Sequence, residues 1–114
     1  MFIKIEKNEE IAHAYDVDER QRYTLLTHDF YINLNHTNVV EFILNDDSCY
    51  LNGDIMGMGF KETIVFFMND APHILLFNKN SMGEYHRIKR EFEEYVSDIK
   101  STKKQKEESV NEGV

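Results

Sequence analysis

The chain has 114 residues, 41% of them apolar and 12% aromatic, enough for one domain with a real core and too few for two of ordinary size. Thirteen Lys/Arg against 21 Asp/Glu give a net charge of −8, a surface that repels phosphate backbones and argues against nucleic-acid binding. A lone cysteine, Cys49, excludes an internal disulfide, and no apolar run approaches the ~18 residues of a membrane span.

The acidity is concentrated at the front. Residues 1–83 hold six Lys/Arg and thirteen Asp/Glu, a balance of −7, while residues 101–114 hold three of each. Such a surface serves solubility or meets a basic groove on another protein. The opening "MFIKIEKNEE" lacks a basic region followed by an apolar one, so no signal peptide is expected and the cytoplasm is the expected compartment. Ten Asn, one Pro and no Trp lean toward AT-rich codons, which suits a low-GC bacterium or a phage-infected host.

Period-2 patterning dominates as far as residue 78. "FIKIE" places Ile3 and Ile5 on one face and Lys4 and Glu6 on the other. "EEIAHAYDV" is ambiguous between a strand and a helical turn, and "DVDERQR" is a charged turn. "RYTLLTH" and "FYINLN" read as strands. In the second, Phe30, Ile32 and Leu34 oppose Tyr31, Asn33 and Asn35. "HTN" is expected to turn the chain into "VVEFILND", with Val40, Phe42 and Leu44 on the apolar face. "NDDS" is a turn. "SCYLNGDIMGMGF" reads as a hairpin, because Asn52-Gly53 suits the two left-handed positions of a type I′ turn. "TIVFFM" is apolar on both faces and so belongs inside a sheet, and "HILLFN" is the last strand.

The period then changes to that of a helix. Tyr85, Ile88, Phe92, Tyr95, Val96 and Ile99 form one stripe, with Phe92 at its centre. Ser81 and Glu84 have the spacing of a capping box. Arg87–Glu91, Lys89–Glu93 and Arg90–Glu94 have that of i,i+4 ion pairs. "STKKQKEESVNEGV" has almost no apolar residues, so residues 101–114 are expected to be a disordered tail behind one α+β domain over residues 1–100. The fold class is α+β, mainly β: a curved antiparallel sheet or small open barrel of about 6–8 short strands, covered by the C-terminal helix. This order of many short strands followed by one helix resembles that of pleckstrin-homology-type small barrels.

Candidate sites are sparse. If "DIMGMGF" is a strand, Gly57 and Gly59 leave one of its faces bare, to be filled by the helix or left open to a ligand or partner. Helix packing is the expected occupant. Asp46, Asp47 and Asp54 flank the same stretch and would steer a basic partner. "GMGF" is followed by "KE" and has neither the third glycine nor the G-K-S/T of a nucleotide loop. The histidines His13, His28, His36, His73 and His86 show no metal-site spacing, and Asp16, Asp18 and Glu19 lack the calcium-loop pattern, so neither metal nor cofactor is expected. His28, Asp29 and His36 would converge if "THDFYINLNH" is a strand whose ends meet a neighbour, but scattered surface histidines are the expectation. Cys49 or the His28/Asp29 pair would be the nucleophile or base of a minor enzyme. The reading that fits best is a non-enzymatic, acidic protein that occludes or adapts another protein, such as a phage or mobile-element accessory factor. The alternatives are a small barrel module for a peptide or small ligand, that minor enzyme, and a structural homo-oligomer subunit.

Overall fold

The computed structural model describes residues 1–15, 23–45, 55 and 57–112, with 102–112 as backbone only. Seven strands appear among them. β1 (Phe2–Ile5) and β4 (Phe30–Asn33) form an antiparallel ribbon. The other five, β2 (Asn8–Tyr15), β3 (Thr24–Leu26), β5 (Thr37–Ile43), β6 (Glu62–Met68) and β7 (His73–Phe77), form an antiparallel sheet in the order β3-β2-β7-β6-β5. One helix, α1 (Met82–Glu112), follows. The sheets do not close into a barrel. The central place of β7 beside β2 and β6 joins the two ends of the sheet through the last strand.

Alternation in sequence becomes alternation in burial. Ile3 and Ile5 are fully buried while Phe2 stays 59% exposed. On one face of the large sheet, Ile11, Leu26, Ile64, Phe66, Leu75 and Phe77 pack with Ile32 and Leu34 of the ribbon side and with Tyr85 and Ile88 of α1. On the other face, Ala12, Ala14, Val65, Ile74 and Leu76 pack with Tyr23, Ile55 and Phe60. β7, and β6 as far as Phe66, are thus covered on both sides, which is why "TIVFF" and "HILLF" do not alternate with polar residues, while Phe67 at the end of the run stays 36% exposed.

The ambiguous segment at the front is a strand, β2, because its register places Ile11 and Ala12 against opposite layers of core. β4 stops at Asn33, earlier than its pattern suggests. The Asn33 side chain accepts from the Asn35 backbone N–H at 3.0 Å and caps a single 3-10 turn, Leu34–His36. Leu34 is still buried, but by this turn and not by a strand. Leu44 departs from its expected place. β5 ends at Ile43, Asn45 takes a left-handed φ of 53°, and Leu44 is left 57% exposed.

The Ser81–Glu84 capping box is not formed. The Ser81 hydroxyl accepts from the Asn78 backbone N–H at 3.0 Å and donates to the Glu10 carbonyl at 2.7 Å, and Glu84 pairs with Arg87. Tertiary partners have displaced the local motif. Of the three expected i,i+4 pairs, Arg87–Glu91 alone closes among the described residues. Lys89 instead places its ammonium 5.8 Å from the Phe42 ring centre. Burial along the stripe falls from Tyr85 and Ile88, fully enclosed, through Phe92, half-buried, to Ile99 at 45% exposed. The centre of the contact is therefore one turn earlier than Phe92. The helical backbone continues to Glu112 where a tail was expected from residue 101, as strong helix formers such as Lys, Gln and Glu allow.

Candidate functional site

Gly57 and Gly59 do not lie on a strand. Their φ angles are +85° and +73°, left-handed values that an L side chain rarely adopts. The pattern G-x-G reflects two backbone requirements of a turn, a signal that a period-2 reading converts into a bare strand face. Among the described residues a Cβ at either position would meet no atom within 4 Å, so the expected packing of α1 against these glycines is absent. They line a hollow of about 490 Å³ with Met58, Lys61, Glu62, Lys79, Asn80 and Met82. Asp46, Asp47, Asp54, the Asn52-Gly53 turn and Cys49 lie outside the described residues, as do Asp16, Asp18 and Glu19.

The glycine turn is anchored through Asn78, which is 2% exposed. Its side-chain amide donates to the Met58 carbonyl at 3.1 Å and to the Glu10 carboxylate at 2.6 Å, and its carbonyl oxygen accepts from the Asn80 N–H at 2.9 Å. Glu10 lies where β2 bulges away from β3, between the register pairs Asn8↔Leu26 and Ala12↔Leu25. A second hollow, of about 700 Å³, opens at this bulge between Lys7, Leu25, Leu26 and Met58. Met58 therefore stands between two cavities.

A different cluster lies at the far end of the helix-side face. Register places Tyr15 opposite His73, and His13 two residues back along β2 on the same face. His13 Nε2 is 3.0 Å from His73 Nδ1, with ring planes 6° apart and centres at 5.2 Å. Those three values describe two rings edge to edge in nearly one plane, a hydrogen-bonded pair sharing one proton. Phe30 and Tyr15 lie against them at 4.7 and 4.5 Å from the His13 and His73 rings, respectively. Burial, and then the neighbouring His73 and His28, push the His13 imidazolium down to about 4, so the ring is neutral at physiological pH. Burial lowers His73 too, against the opposing pull of Asp70. The Asp70 carboxylate accepts from the Tyr15 hydroxyl, a bond that lowers the carboxyl and raises the phenol. The pair is held by strands 60 residues apart, and no local spacing announces it.

The other histidine readings come apart. His28 lies before β4, and His36 lies in the 3-10 turn after it, so the strand separates them. Asp29 accepts from the Lys7 N–H at 2.7 Å and lies 3.8 Å from the Lys4 ammonium, closing the β1–β2 turn. No group of three metal-ligating side chains forms among the described residues.

The remaining feature is an edge. β5 bonds to β6 on one side and to no described strand on the other. It is seven residues long and carries one charge, Glu41, with no Lys and no Pro to block pairing. Val40 and Phe42 pack under α1, whereas Val39, 51% exposed, lies directly opposite Phe67, 36% exposed, on the other face. A long, open, apolar edge is a template for another strand. β3, at the opposite edge, has three residues. No protein-family model, curated protein or solved structure matches this chain.

Proposed function

We propose that this is a small acidic protein that acts by binding, and thereby occluding or adapting, another protein, and that the partner adds a strand to β5. The observation that carries the reading is the seven-residue edge, unpaired among the described residues, with the exposed Val39–Phe67 pair beside it. Main-chain hydrogen bonds along such an edge supply affinity, and side chains flanking it supply selectivity. The net charge of −8 supports the same reading, because it favours a basic partner at long range. A phage or mobile-element factor that masks a host protein is a natural setting for a chain of this size and charge.

Amide hydrogen exchange tests it. In the free protein the outward amides of Thr37–Ile43 exchange quickly, and in the complex they become protected. Val39→Lys, which places a charge at the edge, abolishes the protection and the binding together. A complex that leaves β5 exchange unchanged overturns the proposal.

A second reading rests on the hollow beside Gly57 and Gly59, whose walls of glycine backbone, Met58 and Met82 suit a small ligand or a peptide side chain. It predicts that ligand titration shifts the amides of residues 57–62 and leaves β5 still.

A further inference from the structure

We infer that the segment received by β5 is an extended, basic strand of another protein, with Lys or Arg beside Glu41 and apolar residues beside Val39 and Ile43. This rests on the strand-addition reading above and names the chemistry of its partner. Along β5, Val39, Glu41 and Ile43 share the face that also carries Phe67 and Val65 of β6. Val39 and Glu41 are exposed there, and Glu41 forms no ion pair among the described residues. A strand laid against the edge sets its own side chains directly opposite these residues, at the spacing where opposite charges attract and like charges repel. Docking also withdraws water from the Glu41 carboxylate, so a partner without a cation leaves that charge uncompensated.

The same geometry argues against a second copy of this chain as the occupant. β5 reads TNVVEFI, with one carboxylate and no cation. In a two-fold antiparallel pairing, the Glu41 face of one copy meets the Glu41 face of the other. Glu41 then stands opposite Glu41, or opposite an apolar residue, and no register brings a counter-charge. Each copy also carries a net charge of −8.

The preference is confined to one face. On the helix side, the Lys89 ammonium sits 5.8 Å from the Phe42 ring centre, so a basic side chain there would meet a like charge. The partner strand therefore alternates, with apolar, basic and apolar residues on the Glu41 face and uncharged residues on the other.

Two synthetic peptides, Thr-Val-Thr-Lys-Thr-Val-Thr and its analogue with Glu in place of Lys, both capped at their ends, separate the possibilities. They are titrated into the full-length, isotope-labelled chain while backbone amides are followed by NMR. The expected result is that the lysine peptide shifts Thr37–Ile43 and binds about tenfold more tightly than the glutamate peptide, as a close charge pair allows. That ratio shrinks with added salt and falls toward one in Glu41→Gln. If neither peptide moves the β5 amides, strand addition itself is overturned and this inference falls with it. If both peptides bind β5 equally, strand addition stands and the basic partner is overturned. Concentration-dependent dimers with β5-to-β5 contacts would assign the edge to a second copy and overturn it as well.

Discussion

The Asn78 side-chain amide donates to the Glu10 carboxylate at 2.6 Å, tying the bulge of β2 to the residues that start α1. The same amide reaches the Met58 carbonyl, and Ser81 binds the Glu10 carbonyl from the other side. Three segments distant in sequence thus share one nearly dry polar knot, with Asn78 and Ser81 both 2% exposed. Glu10 is half-buried, and removing the Asn78 amide takes the donor from its carboxylate and from the Met58 carbonyl together.

Asn78→Ala is therefore expected to cost about 2–3 kcal/mol in urea unfolding, the range for a hydrogen bond to a charged group with its partner left unsatisfied. Asn78→Asp should be worse at neutral pH, since it sets a second carboxylate against Glu10. Its deficit should shrink as pH falls and one carboxyl takes up a proton. An Asp variant whose deficit is the same at pH 7 and pH 4 would place Glu10 elsewhere.

The His13–His73 pair implies a pH dependence with a definite sign. The folded His13 titrates near 4, below its ordinary 6.5, so the unfolded chain binds the proton first as pH falls. Stability is fully present above pH 6.5 and declines between there and pH 4, then levels once the folded ring protonates. Allowing for solvent screening of a ring still partly exposed, the loss is on the order of 1–2 kcal/mol. Carboxylates titrate over part of this range, so the test is a difference: His13→Phe should lose less stability than the parent chain between pH 7 and pH 4.5. Equal losses would show that the pair does not resist protonation.

Much of this fold is legible locally. Ile3 and Ile5, or Phe66 and the doubly apolar run around it, show their burial through spacing alone. What is hidden is non-local. β7 pairs with both β2 and β6, and no stretch of sequence encodes that order. The His13–His73 contact and the place of β5 at the edge of the described sheet both follow from it. The glycines mislead for another reason: a left-handed turn and a bare strand face have the same written pattern. Ser81–Glu84 is a capping box in spacing only, because Glu10 and Asn78 compete for the hydroxyl and win.

The helix stripe carries a graded expectation. Ile88 is fully buried, so Ile88→Ala should cost about 2–5 kcal/mol. Phe92, half-buried, should cost less than Ile88, and Ile99, 45% exposed, should stay within about 0.5 kcal/mol. Tyr85 adds a test of opposite sign. Its ring is buried between Phe42 and Phe77, yet its hydroxyl has no hydrogen-bond partner among the described residues. Tyr85→Phe removes an unsatisfied group without opening a large cavity, and should be neutral or stabilising by up to about 1 kcal/mol. A marked loss in thermal unfolding would reveal a partner for that hydroxyl.

Substitution at Gly57 and Gly59 separates two causes of the same symptom. Valine at either site is expected to destabilise the chain. Overpacking would explain that if α1 filled the space, but a Cβ at either position meets nothing within 4 Å among the described residues. The remaining cause is backbone strain, since φ is +85° and +73° and a left-handed residue other than glycine costs roughly 1–2 kcal/mol. The causes order the variants differently. Under overpacking, cost rises with side-chain volume, so Asn is worse than Ala. Under strain, cost follows left-handed preference, so Asn, which visits that region readily, is better tolerated than Ala, and Val is worst. Melting temperatures for Gly57→Asn, Gly57→Ala and Gly57→Val, with the same set at Gly59, should fall in that order. An order that follows volume would mean that something packs against the turn after all.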